Sequence, residues 1–370
     1  MAAPLGLETR EQRGIFIMYM SLWVGYGLLN ELAKRRQVQF NSTSAVVIQS
    51  VFKLAIASYM YLTKDAVDHS PGSLVHRIKY LLAQIKEHRV LLVRYFIPSG
   101  LYVVYDVLSY VNLRKFDAST YFLLLQFRMV ITGVLHQFMF QKKLNRNQWI
   151  SLVITTIGCA IKTLGSATNK HEVAQHAVPL IAYALLMVQM LSSTFAGVYN
   201  EVLLKKQVQI SFNLQNIFMY LDSIICTVAM LMLGLTGQSF SEVIKPSNIA
   251  VLFSFYVFPM VLIMSFIGVV TSMFLKALDS IRKAIASALE LVFLPLFCAV
   301  LFGMPLTWPL LVSVVLVASG VYIYSIPVAD AQPTSYLPVS QKDEVLKDDS
   351  NSTALEDVTA EKSKASKDDD

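Results

Sequence analysis

Apolar runs of about 20 residues, separated by short polar joints, repeat along most of this 370-residue chain. Ten can be placed, near 15–33, 43–63, 90–113, 118–140, 149–166, 178–203, 215–236, 250–275, 284–303 and 308–328. Each is long enough to cross a ~30 Å hydrocarbon layer as a helix. None alternates apolar and polar residues strictly, as a barrel strand would. The pattern therefore predicts an all-α membrane protein with ten transmembrane helices. Between the second and third runs, SLVHRIKYLLAQIKEHR (73–89) carries its apolar residues on one helical face, which predicts an amphipathic helix resting on the membrane surface. From Asp330 onward the chain is polar and poor in aromatics, so 329–370 is expected to form a disordered acidic tail.

Sliding one half of the chain over the other exposes a weak internal repeat. An offset of 162 lays FDASTYFLLLQFRMVITGV over LDSIRKAIASALELVFLPL, with Asp117 on Asp279, Leu144 on Leu306 and Gly158 on Gly320. Five spans would fall in each copy, 15–166 and 178–328, with 1–14 left as a short N-terminal segment. An odd number of spans per copy forces the two to insert in opposite senses. The expectation is two inverted five-helix repeats, an arrangement used by alternating-access carriers. The same register places Glu290 opposite Arg128.

Composition agrees with the pattern. Hydrophobic residues make up 55% and charged residues 15%, far from the balance of a soluble domain. The net charge of +6 divides unequally, because 330–370 holds 11 acids and 5 bases while the rest holds 26 bases and 14 acids. A basic membrane body suits an anionic cargo, although basic loops also serve topology. With a cytosolic N-terminus, fifteen basic residues fall in cytosolic joints, against seven (Lys34, Arg35, Arg36, Arg114, Lys115, Lys170 and Lys245) on the far side. That favours both termini in the cytosol. Residues 1–14 do not read as a cleavable leader, so the first helix is expected to be a retained span. Cys159, Cys226 and Cys298 all fall inside spans without metal-like spacing and read as core residues. The sequons at Asn351 and Asn41 fall on a cytosolic tail and close to the membrane, respectively.

Charges inside spans carry the functional information, since each costs roughly 2.5–3.5 kcal/mol on insertion scales and faces the bundle interior or a wet cavity. They are Lys53, Asp106, Arg128, Asp222 and Glu290. Lys53 reads as a snorkelling lysine near a helix end. Tyr121 and Arg128 are seven apart and should share a face, where a ring could stack a base while a guanidinium forks a phosphate. Tyr102, Asp106 and Ser109 share another face, and Asn216, Tyr220 and Ser223 a third, with Asp222 about a third of a turn off it. Structural ion pairing remains an equal account of Asp106, Asp222 and Glu290. Glycine-rich phosphate loops, HExxH, Cys–His metal spacing and G-x-S-x-G are absent, so neither an enzyme nor a cofactor is expected.

Three stretches carry a family likeness: TYFLLLQFRMVITGVLHQFMFQKKLNRNQWISLVITTIG, STFAGVYNEVLLKKQVQISFNLQNIFMYLDSI and IGVVTSMFLKALDSIRKAIASALELVF. Together they resemble the nucleotide-sugar transporters of the CMP-sialic acid, UDP-galactose and UDP-N-acetylglucosamine group, from about 15 to 328. GVYNE, MYLDSI and SALEL are the pieces similar to insect-type UDP-galactose transporters. The resemblance implies ten helices in the drug/metabolite transporter architecture, in the Golgi membrane, exchanging a cytosolic nucleotide sugar for a lumenal nucleoside monophosphate. It implies a substrate site at Tyr102, Asp106, Tyr121, Arg128, Ser193, Asn216, Tyr220, Asp222, Ser272 and Lys283. Its implied partners are those two nucleotides and the lipid bilayer, not nucleic acid; a homo-oligomer is left open.

Three of those positions depart from the sialic acid transporter pattern. A lysine becomes Arg128, which keeps the charge and gains a fork. An asparagine becomes Asp106 and a serine becomes Asp222, adding negative charge near a site for an anion. Either acid could pair with Arg128 or Lys53, or accept hydrogen bonds from sugar hydroxyls. Glu290 stands where those transporters have a small or apolar residue. The sequence reading is a UDP-sugar antiporter, UDP-galactose first. Its rivals are a proton-coupled carrier of organic solutes and a non-transporting membrane scaffold.

Overall fold

The computed structural model describes residues 4–69, 73–113, 115–116, 118–141, 143–167 and 179–326. Arg114, Asp117, Lys142 and Lys170, the 329–370 tail and the Asn351 sequon lie outside them. Every regular element among the described residues is helical. In chain order they are α1 (Arg10–Arg35), α2 (Ser42–Met60), α3 (Ala66–His69), α4 (Leu74–Glu87), α5 (Arg89–Leu113), α6 (Ala118–Leu125), α7 (Arg128–Phe140) and α8 (Arg146–Ala167). There follow α9 (Leu180–Lys206), α10 (Phe212–Met232), α11 (Phe240–Val243), α12 (Pro246–Leu252), α13 (Phe258–Ala277), α14 (Ser280–Phe302) and α15 (Trp308–Ser325). Among the described residues, ten spans are long and apolar enough to cross a membrane: α1, α2 with the π-turn Tyr61–Asp65, α5, α6 joined to α7, α8, α9, α10, α13, α14 and α15. The chain is a multi-pass membrane protein.

Helix ends follow local chemistry. Thr9 and Gln12 form a reciprocal capping box on α1, and the Asn41 side chain accepts from the Ser44 N–H to start α2. Asp279 caps α14 by accepting from the Arg282 N–H at 2.6 Å. The large exposed apolar side chains, such as Phe138, Val300, Trp308 and Val315, belong to the faces that lipid covers. On the surface helix α4, Leu74, Val75, Ile78 and Leu82 are exposed on one side while Leu81 packs inward, as the amphipathic pattern requires.

The eighth span begins later than expected. Instead of a run from 250, α12 stops at Leu252, and Phe258 with Pro259 starts α13 after a bent segment. Hydropathy cannot see that bend, because 253–257 is itself apolar and aromatic. Lys53 also departs from expectation. Its stem crosses Gly268 of α13, where an added Cβ would lie 2.7 Å from Lys53 Cε. The lysine is mid-helix in α2 and turned into the bundle, so it cannot snorkel to the interface.

The densest helix pairing joins α8 to α15. Gly158 approaches Ser313, Leu316 and Val317, and a Cβ there would meet Val317 Cγ2 at 3.1 Å. Gly320 approaches Ser151 and Thr155, where a Cβ would meet Thr155 Oγ1 at 2.2 Å. The contacts are reciprocal at the offset of 162: Gly320 matches Gly158, and Ser313 and Val317 match Ser151 and Thr155. Helix boundaries follow the same offset. Ala118 to Phe140 maps onto Ser280–Phe302, and the left-handed cap residue Gln141 maps onto the left-handed cap residue Gly303.

Candidate functional site

A cavity of about 460 Å³ lies among α1, α5, α6, α7, α9 and α14. Its α14 wall is one helical stripe, Ser280, Lys283, Ala284, Ser287, Glu290 and Leu291. Aromatic side chains supply much of the rest: Tyr19, Trp23, Tyr102, Tyr105 and Phe122. Tyr19 is held edge-on to Trp23 and against Phe274, which fixes that wall. The charged side chains lining the cavity are Arg128, Lys283 and Glu290.

The fourth span is broken here. Gln126 and Phe127 form a turn, with Gln126 N–H donating to Leu123 O and Phe127 N–H to Leu124 O, each at 3.1 Å. α7 then starts at Arg128. Arg128 thus stands at the N-terminal end of a half-helix, where the backbone dipole also favours an anion, and its side chain is exposed into the cavity.

Of the ten expected site residues, four converge on this cavity: Tyr102, Arg128, Ser193 and Lys283. Tyr220 and Ser272 form a buried pair next to Tyr102, without a full hydrogen bond from the Tyr220 hydroxyl. Asn216 is buried one turn away from Tyr220, and its amide nitrogen has no partner among the described residues.

The remaining three are placed elsewhere. Tyr121 is 2% exposed and packs with Phe116, Leu125, Leu186 and Met190. Its hydroxyl accepts from Gln189 Nε2 at 2.7 Å, and Gln189 Oε1 accepts from Asn112 Nδ2 at 2.7 Å. Tyr121 and Arg128 remain electrostatic neighbours across the turn at 126–127, but Tyr121 does not line the cavity that Arg128 opens into. Asp106 opens onto a separate cavity of about 90 Å³ with Thr43, Ser109 and Thr227, not onto the one Tyr102 lines. The i, i+4 spacing keeps Tyr102 and Asp106 ~40° apart on one face of α5 and about one turn apart along its axis, and each lines a different cavity there. Lys53 is the charged neighbour of Asp106, though not within ion-pair distance. Asp222 is fully buried in α10, and neither carboxylate oxygen has a hydrogen-bond partner among the described residues.

Sequence reasoning missed Tyr19, Trp23 and Ser287 as wall residues, and it singled out Glu290 as an in-span charge without placing it in the substrate site. Aromatic residues in an apolar span carry no pattern that separates a cavity wall from packing, whereas the charge of Glu290 stood out in its run.

At one end of the cavity a charged network joins elements from both halves of the chain. Glu201, fully buried on α9, accepts from the Ser280 N–H at 2.7 Å and pairs with Lys205 Nζ at 2.7 Å. His136 Nε2 of α7 lies 3.6 Å from the same carboxylate. Lys205 also donates to Leu278 O, and Arg282 pairs with Asp279 at 3.0 Å and reaches Leu5 O at 2.8 Å. Burial alone would raise the Asp279 carboxyl; Arg282, Lys205, the Arg282 N–H and His136 outweigh it and hold the group below the usual carboxylate range. Because Ser280 also lines the cavity, this network borders that end.

A family model described as nucleotide-sugar transporter matches residues 15–325. Among similar proteins, a Drosophila melanogaster protein named UDP-galactose transporter senju is 32% identical, over 84% of this chain and 85% of its own length. The Caenorhabditis elegans UDP-galactose/UDP-N-acetylglucosamine transporter srf-3 is 23% identical, over 87% and 85%. The Mus musculus UDP-galactose translocator is 27% identical, over 78% and 71%. One solved crystal structure overlays with a TM-score of 0.57 at 10% identity, over 84% of this chain and 94% of that one, a likeness of fold alone.

Proposed function

We propose, from the premise that this chain belongs to the nucleotide-sugar transporter family, that it imports a UDP-sugar into the Golgi lumen in exchange for UMP. UDP-galactose is the leading cargo, in keeping with the names of its relatives. The observation that carries this reading is the cavity itself: two cations, Arg128 and Lys283, set in a wall of aromatic rings within the bundle. A nucleotide sugar offers the complement, phosphates for the cations and a flat base for the rings. Lys283 and Arg128 would hold the diphosphate, Tyr102 with Tyr19 and Trp23 would bound the base, and Ser193 and Ser287 would offer hydroxyls for orientation. Tyr220, Ser272 and Asn216 would be reached as the walls move. None of these groups is arranged to break a bond, in keeping with a carrier family.

Movement is assigned to two inverted repeats, 15–166 and 178–328, rocking about the α8–α15 seam. The reciprocal glycine contacts at the offset of 162 support that reading. The Glu201 network would be the closure on the cytosolic side, with both termini in the cytosol as the basic joints indicate. The test is counterflow in proteoliposomes preloaded with UMP, CMP or GMP and offered a panel of labelled nucleotide sugars. Uptake of UDP-galactose driven by internal UMP is the expected result. Uptake driven by a pH gradient without internal nucleotide would replace the reading with a proton-coupled carrier.

A further inference from the structure

Glu290 is a carboxylate in the wall of a cavity whose other charges are Arg128 and Lys283. It lies on α14 seven residues beyond Lys283, on the same face and about 10 Å further along the axis. Its electrostatic neighbours are Arg128, in the same cavity, and Lys162 of α8. At the offset of 162 it also occupies the position that matches Arg128, so the two halves set opposite charges at corresponding points of one cavity. Glu290 and Arg128 do not close an ion pair within 4 Å among the described contacts. A tight structural pair would have locked both groups; these two are left to respond to what lies between them.

We propose that Glu290 is a built-in counter-anion, a positioning residue that balances Arg128 when no nucleotide is bound and gives the cation up to the incoming phosphate. This rests on the nucleotide-exchange reading above. Two consequences follow from charge. With Glu290 ionised the cavity side chains sum to a single positive charge, which attracts a phosphate without trapping it. A site stripped of the carboxylate holds its phosphate more tightly and releases it more slowly. An uncompensated cavity is also costlier to carry through the occluded state, so the carboxylate permits the nucleotide-free return that exchange otherwise forbids.

The test compares Glu290→Gln and Glu290→Asp with the unaltered protein in proteoliposomes, using UMP as the probe. Three readouts are taken: KM and maximal rate of UMP exchange, and efflux of preloaded UMP into nucleotide-free buffer. The glutamine variant is expected to lower KM by roughly fivefold to tenfold, lower the maximal rate, and suppress the one-way efflux, while the aspartate variant stays near the unaltered protein. Equal KM and efflux in the glutamine variant would overturn the proposal while leaving the transporter reading intact. A glutamine variant that fails to insert beside an aspartate variant of ordinary kinetics would make Glu290 structural, and would overturn it too. No exchange of any nucleotide sugar by the unaltered protein would instead sink the reading on which the proposal rests.

Discussion

A guanidinium halfway along a membrane span survives because the span breaks there. The turn at Gln126–Phe127 lets Arg128 open a new half-helix with its side chain in the cavity rather than in lipid. Arg128→Ala removes the fork and leaves a smaller side chain in a wet space, so the protein should still insert and run as a single species in detergent. UMP exchange should fall to background in the counterflow assay. Tyr121 behaves oppositely despite its nearness in sequence. Its hydroxyl ends a buried chain through Gln189 to Asn112, so Tyr121→Phe leaves Gln189 Nε2 without its acceptor, at a cost of about 1–3 kcal/mol. Thermal melting should drop by several degrees, while KM for UDP-galactose stays within about twofold of the unaltered value. A large rise in KM without loss of stability would return Tyr121 to the site. Arg128 was legible in the sequence because a charge in an apolar run has few excuses. The burial of Tyr121 away from the cavity was not, because both halves of the broken span are equally apolar.

Among elements, the α8–α15 seam depends on two glycines that let backbones meet. A side chain at Gly320 would begin 3.2 Å from the Ser151 carbonyl and collide with Thr155. Gly320→Leu should therefore wedge the helices apart and lower the melting temperature by several degrees or more, and Gly158→Leu should do the same from the reciprocal side. Both losses are read by thermal unfolding of the purified protein in detergent, and a neutral outcome at either glycine would argue against a shared seam. Span count and most boundaries could be read in advance because twenty apolar residues have few other uses. The offset of 162 was legible at Gly158 and Gly320 for a related reason: close helix packing demands small residues at fixed points. The late start of α13 was not, since the segment from Phe253 to Val257 is apolar whether it is helical or bent.

For the whole molecule, the charged network at one end of the cavity makes the direction of opening testable. Glu201 gathers Lys205, His136 and the Ser280 N–H at the end where α14 begins, tying α7, α9 and α14 together. Such a buried network is weak evidence for stability, since desolvation offsets much of the attraction, but it is suited to holding one of two arrangements. Glu201→Gln keeps an acceptor for the Ser280 N–H and discards the charge that holds Lys205 and His136. The closed arrangement should lose population while the fold is retained. A cysteine placed at Ala284, one turn deeper in the cavity wall, reports this in a background lacking Cys159, Cys226 and Cys298. With Glu201 intact, an impermeant maleimide added on the cytosolic side should label position 284 slowly. With glutamine there, labelling should rise at least about fivefold, the change expected for ~1 kcal/mol removed from the closed side. Exchange of UMP should slow at the same time, because a carrier that lingers open on one side completes fewer cycles. Labelling that rises only from the lumenal side would reverse the assigned topology, and labelling unchanged from both sides would leave Glu201 a static cap of α14.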